Sequence, residues 1–210
     1  LKMARGSKEG PSFLHPKNSQ YSMIRRPDGK HPPLAAGIKL AIQQVVNHIL
    51  RPSVNYVGIQ GLKRFANSIK NWKEDLQGSV KSPYSNKIIP LSKATFELIH
   101  GYVETWGTGG AAFRNLYRMF LEEILLLPEI KEGPQAWTGE EVKIIEDVIP
   151  MIKNSADNWT NIAKILKNAA DEYDKDCINH ISVDELHNMA LCIVNEEEKL
   201  FTKLSKIKIR

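Results

Sequence analysis

The sequence predicts an all-α fold: a bundle of about six helices behind a Pro/Gly-rich N-terminal arm, with no significant sheet. Three observations carry this. Apolar residues recur at three- and four-residue spacing from Leu34 onward. Strand-like alternation is nowhere sustained, and no internal repeat is visible. The periodic segments are separated by short proline- or glycine-bearing breaks, as helices joined by short loops require.

Residues 1–33 read as an extended arm or linker, because Pro11, Pro16, Pro27, Pro32 and Pro33 together with Gly6, Gly10 and Gly29 oppose any long helix. Arg25, Arg26 and Lys30 are its densest basic cluster. Residues 34–210 read as one helical domain. Ile38, Ile42, Val45 and Ile49 form the first apolar face, which Pro52 ends. The second helix carries Ile59, Leu62, Ala66, Ile69, either Trp72 or Lys73, and Leu76, and Gly58 and Gly61 in its first turn permit a close neighbour. Gly78 to Pro90 is a break. A third helix over Leu91 to Val103 turns Phe96, Ile99 and Val103 inward.

Gly107, Gly109 and Gly110 then make a turn that opens onto a fourth helix, from about Gly110 to Leu127. Phe113, Leu116, Phe120 and Ile124 are its expected buried face. Thr138-Gly139-Glu140-Glu141 fits a capping box and starts a long fifth helix, with a kink expected between Glu146 and Pro150. Ser182-Val183-Asp184-Glu185 is a second capping box, before a last helix that turns Leu186, Met189, Ile193, Val194, Leu200, Leu204 and Ile207 inward.

The length of 210 residues suffices for a full core, and 42% apolar with 25% charged residues is ordinary for a globular protein. No apolar run approaches the roughly 18 residues of a membrane span. Leu1 to Gly10 has no apolar signal core, and Cys177 and Cys192, read as reduced thiols, make the cytoplasm the expected compartment. The chain begins at Leu1, with its first methionine at Met3, which points to a segment upstream or to a trimmed product. The formal charge of +5 divides unevenly: residues 1–90 hold 15 Lys+Arg against 4 Asp+Glu, and residues 91–210 hold 14 against 20. A basic half suits an acidic partner, or the acidic half of its own fold.

Candidate chemistry is sparse. Glu97-x-x-His100 and Asp184-x-x-His187 echo the pairs of di-iron bundles, but one pair uses aspartate and the carboxylate set is incomplete, so no metal is expected. Cys177 and Cys192 have no metal spacing and form no disulfide framework. Cys192 is expected within an apolar helix face and Cys177 in a polar loop near His180; neither has a group to orient a catalytic dyad. No cofactor motif is present, since the glycine turn lacks a following Lys-Ser/Thr and a preceding strand. The scattered aromatics of residues 1–90 offer no stacking platform, so no nucleic acid is expected.

The glycine turn is the one candidate site. Gly107, Thr108, Gly109 and Gly110 leave backbone accessible at a helix start, where unpaired N–H groups and the helix dipole favour an anion. Arg114, flanked by Phe113 and Tyr117, is placed to close on it. The alternative is a packing turn, with Thr108 as cap and Arg114 paired internally to a carboxylate such as Glu104.

Asn55-Tyr56-Val57-Gly58-Ile59-Gln60-Gly61-Leu62-Lys63-Arg64-Phe65-Ala66, then Trp72, the block from Gly107 to Glu123, and Trp159 together resemble the C-terminal domain of butirosin biosynthesis protein H-like proteins. Ala4-Arg5-Gly6-Ser7 and Asn18 resemble the join to the preceding domain. The likeness spans about Leu1 to Trp159 and weakens beyond; the glycine-turn block is its most specific part. In that family a papain-like N-terminal domain carries the nucleophile. The name-giving member moves an acyl group from an acyl carrier protein to an aminoglycoside amine, in antibiotic biosynthesis. The resemblance implies a helical partner domain that is inactive alone, with an acyl carrier protein and an upstream cysteine-bearing domain as partners. A purely structural helical domain with no ligand, which mediates dimerisation or props up the catalytic half, is the competing reading.

Overall fold

The computed structural model describes residues 33–82, 87–173 and 176–210. The expected arm lies outside these, apart from Pro33, as do Arg25, Arg26, Lys30 and the residues resembling a domain join.

The all-α expectation holds, with seven α-helices and one two-stranded ribbon among the described residues. Helix α1 (Leu34–Leu50) starts directly after Pro33 and ends at Arg51, before the missing N–H of Pro52. Helix α2 (Gly58–Ile69) follows after a loop over residues 51–57. Its first residue must be glycine on two counts: φ is +58°, and a Cβ there would lie 2.2 Å from the Ile49 carbonyl oxygen. At Gly61 a Cβ would lie 2.4 Å from the Tyr56 carbonyl oxygen, so both glycines serve close approach, as the sequence indicates.

The expected run through Leu76 is interrupted at Lys70 and Asn71, and a single turn, α3 (Trp72–Asp75), stands apart. Trp72 stays buried all the same, edge-on to Phe65 at 6.0 Å and against Phe96 at 5.9 Å. Strands β1 (Ser79–Lys81) and β2 (Ile88–Pro90) pair antiparallel across the break. Helix α4 (Leu91–His100) widens into one π turn at Gly101–Thr105, which buries Val103.

Helix α5 spans Arg114–Leu126, beginning four residues later than expected. Its buried face is also different. Leu121 and Ile124 are buried and Tyr117 and Phe120 partly so, whereas Phe113 and Leu116 are about half exposed, at 55% and 47%. The helix has apolar residues around most of its circumference, and packing selected the stripe next to the expected one.

Helix α6 (Gly139–Glu172) begins with the complete Thr138/Glu141 capping box and continues through Pro150 for 34 residues, roughly 50 Å. Helix α7 (Val183–Leu204) is capped by the Ser182 hydroxyl, which accepts the Glu185 N–H; the reciprocal half of that box is not made. These two antiparallel helices are the spine of the domain. One end of the spine carries a core with Phe96, Trp159, Leu166, Leu186 and Ile193. The other carries a second core with Ile42, Leu121, Ile145, Leu200 and Leu204. Between the two cores, where α6 passes from Ile152 to Ala156 and α7 from Val194 to Leu200, the buried residues are polar: Ser155 and Glu197.

Candidate functional site

That polar waist is where the glycine turn arrives. Gly109 and Gly110 have φ of +65° and +83°, and the left-handed conformation continues through Ala111, Ala112 and Phe113 at +51°, +48° and +70°. Glycine enters this region freely, while each of the three others costs about 1–2 kcal/mol. The turn is held open by specific bonds. Thr108, buried, donates its hydroxyl to the Val103 carbonyl at 2.9 Å and accepts the Gly110 N–H at 3.3 Å. Glu104 accepts the Ala111 N–H at 3.4 Å and the Thr160 hydroxyl at 2.8 Å. Arg114 donates Nη1 back to the Ala112 carbonyl at 2.5 Å.

The left-handed turn delivers Arg114 to Glu197 on α7. Nε and Nη2 reach the two carboxylate oxygens at 2.8 and 2.7 Å, a bidentate pair. Glu197 is 1% exposed, a burial that an unpaired carboxylate could not sustain. Ser155 Oγ at 2.6 Å and Trp159 Nε1 at 3.4 Å complete its shell, so one carboxylate ties α5, α6 and α7 together. The guanidinium also lies 5.7 Å from the Trp159 ring centroid.

Beside this node opens a cleft of about 240 Å³, lined by Val45 and Ile49 of α1, Ala112 and Phe113 of the turn, Ile152 of α6 and Leu200 of α7. Arg114, Glu197, Tyr117 and Phe201 complete its wall, whose accessible surface is almost entirely apolar. Tyr117 is stacked on Phe120 and Phe201. Its hydroxyl is buried without a hydrogen-bond partner among the described residues, and burial pushes its phenol well above the ordinary tyrosine range.

The candidate residues Thr108, Gly109, Gly110 and Arg114 are thus brought into one structure, and Tyr117 lies against it. The Thr108 hydroxyl, the Gly110 N–H and three of the five Arg114 N–H donors, however, have internal acceptors. Arg114 is paired to a carboxylate, as a packing role requires, but to Glu197 rather than Glu104. Glu104 supplies the carboxylate at the turn itself. Gly107 has nothing within 4 Å of a built Cβ and contributes conformation only. Sequence reasoning missed Glu197 and Ser155. Glu197 was legible: in the run Glu196-Glu197-Glu198 it alone continues the inward spacing Ile193, Glu197, Leu200.

The cysteine expectations are reversed. Cys177 is fully buried, its thiol donating to Ser92 Oγ at 3.1 Å, while Cys192 is exposed. Neither borders the cleft. His187 is a core residue whose Nδ1 donates to the Ala66 carbonyl at 2.7 Å. Among the described residues no three His, Cys, Asp or Glu side chains gather into a group that could hold a metal ion. No helix among them is long and apolar enough to cross a membrane.

A second buried pair anchors α1. Lys39, fully buried, reaches both oxygens of Glu141 at 2.9 Å, and its ammonium lies 5.6 Å from the Trp137 ring centroid. Burial pushes the Glu141 carboxyl up. The Lys39 and Thr138 hydrogen bonds and the charges of Lys39 and Arg210 more than reverse this, leaving it below its ordinary value.

In comparison with known proteins, no curated protein and no solved structure matches this chain. A family model described as "Domain of unknown function (DUF4872)" matches residues 1–204. Because the match covers nearly the whole chain, the protein belongs to the DUF4872 family.

Proposed function

We propose that this chain is the helical partner domain of a butirosin-biosynthesis-H-like acyltransferase, supporting a cysteine-bearing catalytic domain and docking the acyl carrier protein that brings the acyl group. The observation that carries the reading is where the resembling residues lie. Arg114 from the Gly107–Glu123 block converges with Trp159 on Glu197, and Tyr117 of the same block lines the apolar cleft beside them. The most specific part of the resemblance is therefore used to build one feature. The positions of the two cysteines, one sealed in the core and one away from the cleft, support a nucleophile supplied from another domain. The basic excess of residues 1–90 suits an acidic carrier protein.

The experiment mixes the 210-residue chain with an acyl-loaded carrier protein and measures binding by calorimetry at two salt concentrations. Binding that weakens with salt is expected. Acyl transfer to an aminoglycoside amine is expected only when a cysteine-bearing domain is added. No carrier binding at low salt, together with transfer that does not respond to this chain, removes the proposal.

A second reading, a structural domain that pairs through α5, is favoured by the half-exposed or exposed Leu116, Met119 and Leu126 on that helix and Phe113 just before it. Sedimentation of the isolated chain decides between them.

A further inference from the structure

We propose that the waist cleft is a binding site for an uncharged amphiphile: a compact hydrocarbon group bearing one hydrogen-bond acceptor, such as an amide or ester carbonyl. This inference stands apart from any role in acyl transfer, since it rests only on the cleft.

Size comes first. A cavity of roughly 150 Å³ lined by aliphatic and aromatic side chains takes up benzene. The cleft holds about 240 Å³ and is walled by Val45, Ile49, Ile152, Leu200 and Phe201. By proportion it suits a group of about ten non-hydrogen atoms. The wall is supplied by four separate segments, α1, the left-handed turn with α5, α6 and α7, so its shape is set by the fold rather than by one mobile loop.

Polarity comes next. Arg114 lines the cleft and keeps 25% of its side chain accessible. A guanidinium has five N–H donors. Three have acceptors here: two on Glu197 and one on the Ala112 carbonyl. The other two have no acceptor among the described residues.

Charge selects the class. Glu197 neutralises Arg114 at 2.7 Å. A ligand carboxylate would meet the Glu197 charge beside the same guanidinium, and a ligand ammonium would meet Arg114 itself. Neither ion would find an unneutralised opposite charge to repay its desolvation against an apolar wall. A neutral carbonyl accepts the spare N–H groups without that cost.

The test uses octanamide, octanoate and octylammonium, each of about ten non-hydrogen atoms, against the full 210-residue chain. The readouts are the Trp159 indole N–H, assigned by Trp159→Phe, and the Arg114 Nε–H, in proton–nitrogen correlation spectra. Octanamide should shift both signals saturably and bind at least about tenfold more tightly than either charged analogue. Val45→Phe, which puts a ring into the cleft from the half-buried face of α1, should weaken octanamide at least about tenfold while thermal unfolding stays cooperative. Ile49→Phe serves the same purpose if Val45→Phe does not fold. The proposal is overturned by the absence of a saturable shift at the solubility limit. It is equally overturned by binding that survives the filled cleft, or by octanoate binding as tightly as octanamide.

Discussion

Arg114 and Glu197 lie 83 positions apart in the chain and meet in a bidentate pair at 2.7 and 2.8 Å, between the two apolar cores. Removing one partner leaves the other poorly compensated. Arg114→Ala should destabilise by about 2–4 kcal/mol, somewhat less than a fully buried pair because the arginine is partly exposed. The double replacement Arg114→Met with Glu197→Leu should recover most of that loss. Urea titration of the single and double variants measures both. A single variant within about 0.5 kcal/mol of the parent would show that the pair adds little.

The face of α5 gives a second prediction. Leu121→Ala should cost about 2–5 kcal/mol, since Leu121 is fully buried. Leu116→Ala, on the exposed stripe, should stay within about 0.5 kcal/mol. Equal losses at the two positions, measured in the same titration, would contradict the packing described.

Backbone handedness gives a third. Ala112 sits at φ +48°, so Ala112→Gly should relieve about 1–2 kcal/mol of strain, offset by the roughly 0.4–1 kcal/mol of chain entropy that glycine loses. A small net gain is expected in thermal unfolding. Gly58→Ala should do the opposite and cost more than the ~1–2 kcal/mol of left-handed strain alone, because its Cβ meets the Ile49 carbonyl. A clear loss at Ala112→Gly, or none at Gly58→Ala, contradicts these assignments.

The depressed carboxyl of Glu141 gives a fourth, in pH. A folded value below the unfolded one means that the unfolded chain binds the proton more readily. The stabilisation is therefore complete above the ordinary glutamate value of about 4.3 and is lost as pH falls from there through the depressed folded value. In Glu141→Gln this component of the acid loss should be missing, and the unfolding free energy should depend less steeply on pH below about 4.3. Unchanged pH dependence in the variant would show that Glu141 is not linked to folding.

Much of the fold was legible locally. Apolar spacing located the main helices, Thr138 and Ser182 marked two helix starts, and Gly58 and Gly61 marked a close approach. Each of these signals acts within a few residues, so a local reading finds it. The Cys192 error was of the same kind and avoidable, since Ala190, Ile193, Val194 and Glu197 define the inward face of α7 and leave Cys192 on the other side.

Tertiary packing decided the rest. On α5 two apolar stripes overlap, one through Leu116 and one through Tyr117, Leu121 and Ile124, and only α1, α6 and α7 select between them. The three left-handed residues before α5 oppose local preference; they are held where Thr108, Glu104 and Arg114 find partners in the turn and beyond it. The acceptor for Arg114 belongs to neither its turn nor its helix. Its carboxylate is on α7, because a buried Glu197 between two cores requires a cation, and the left-handed turn sets Arg114 within reach.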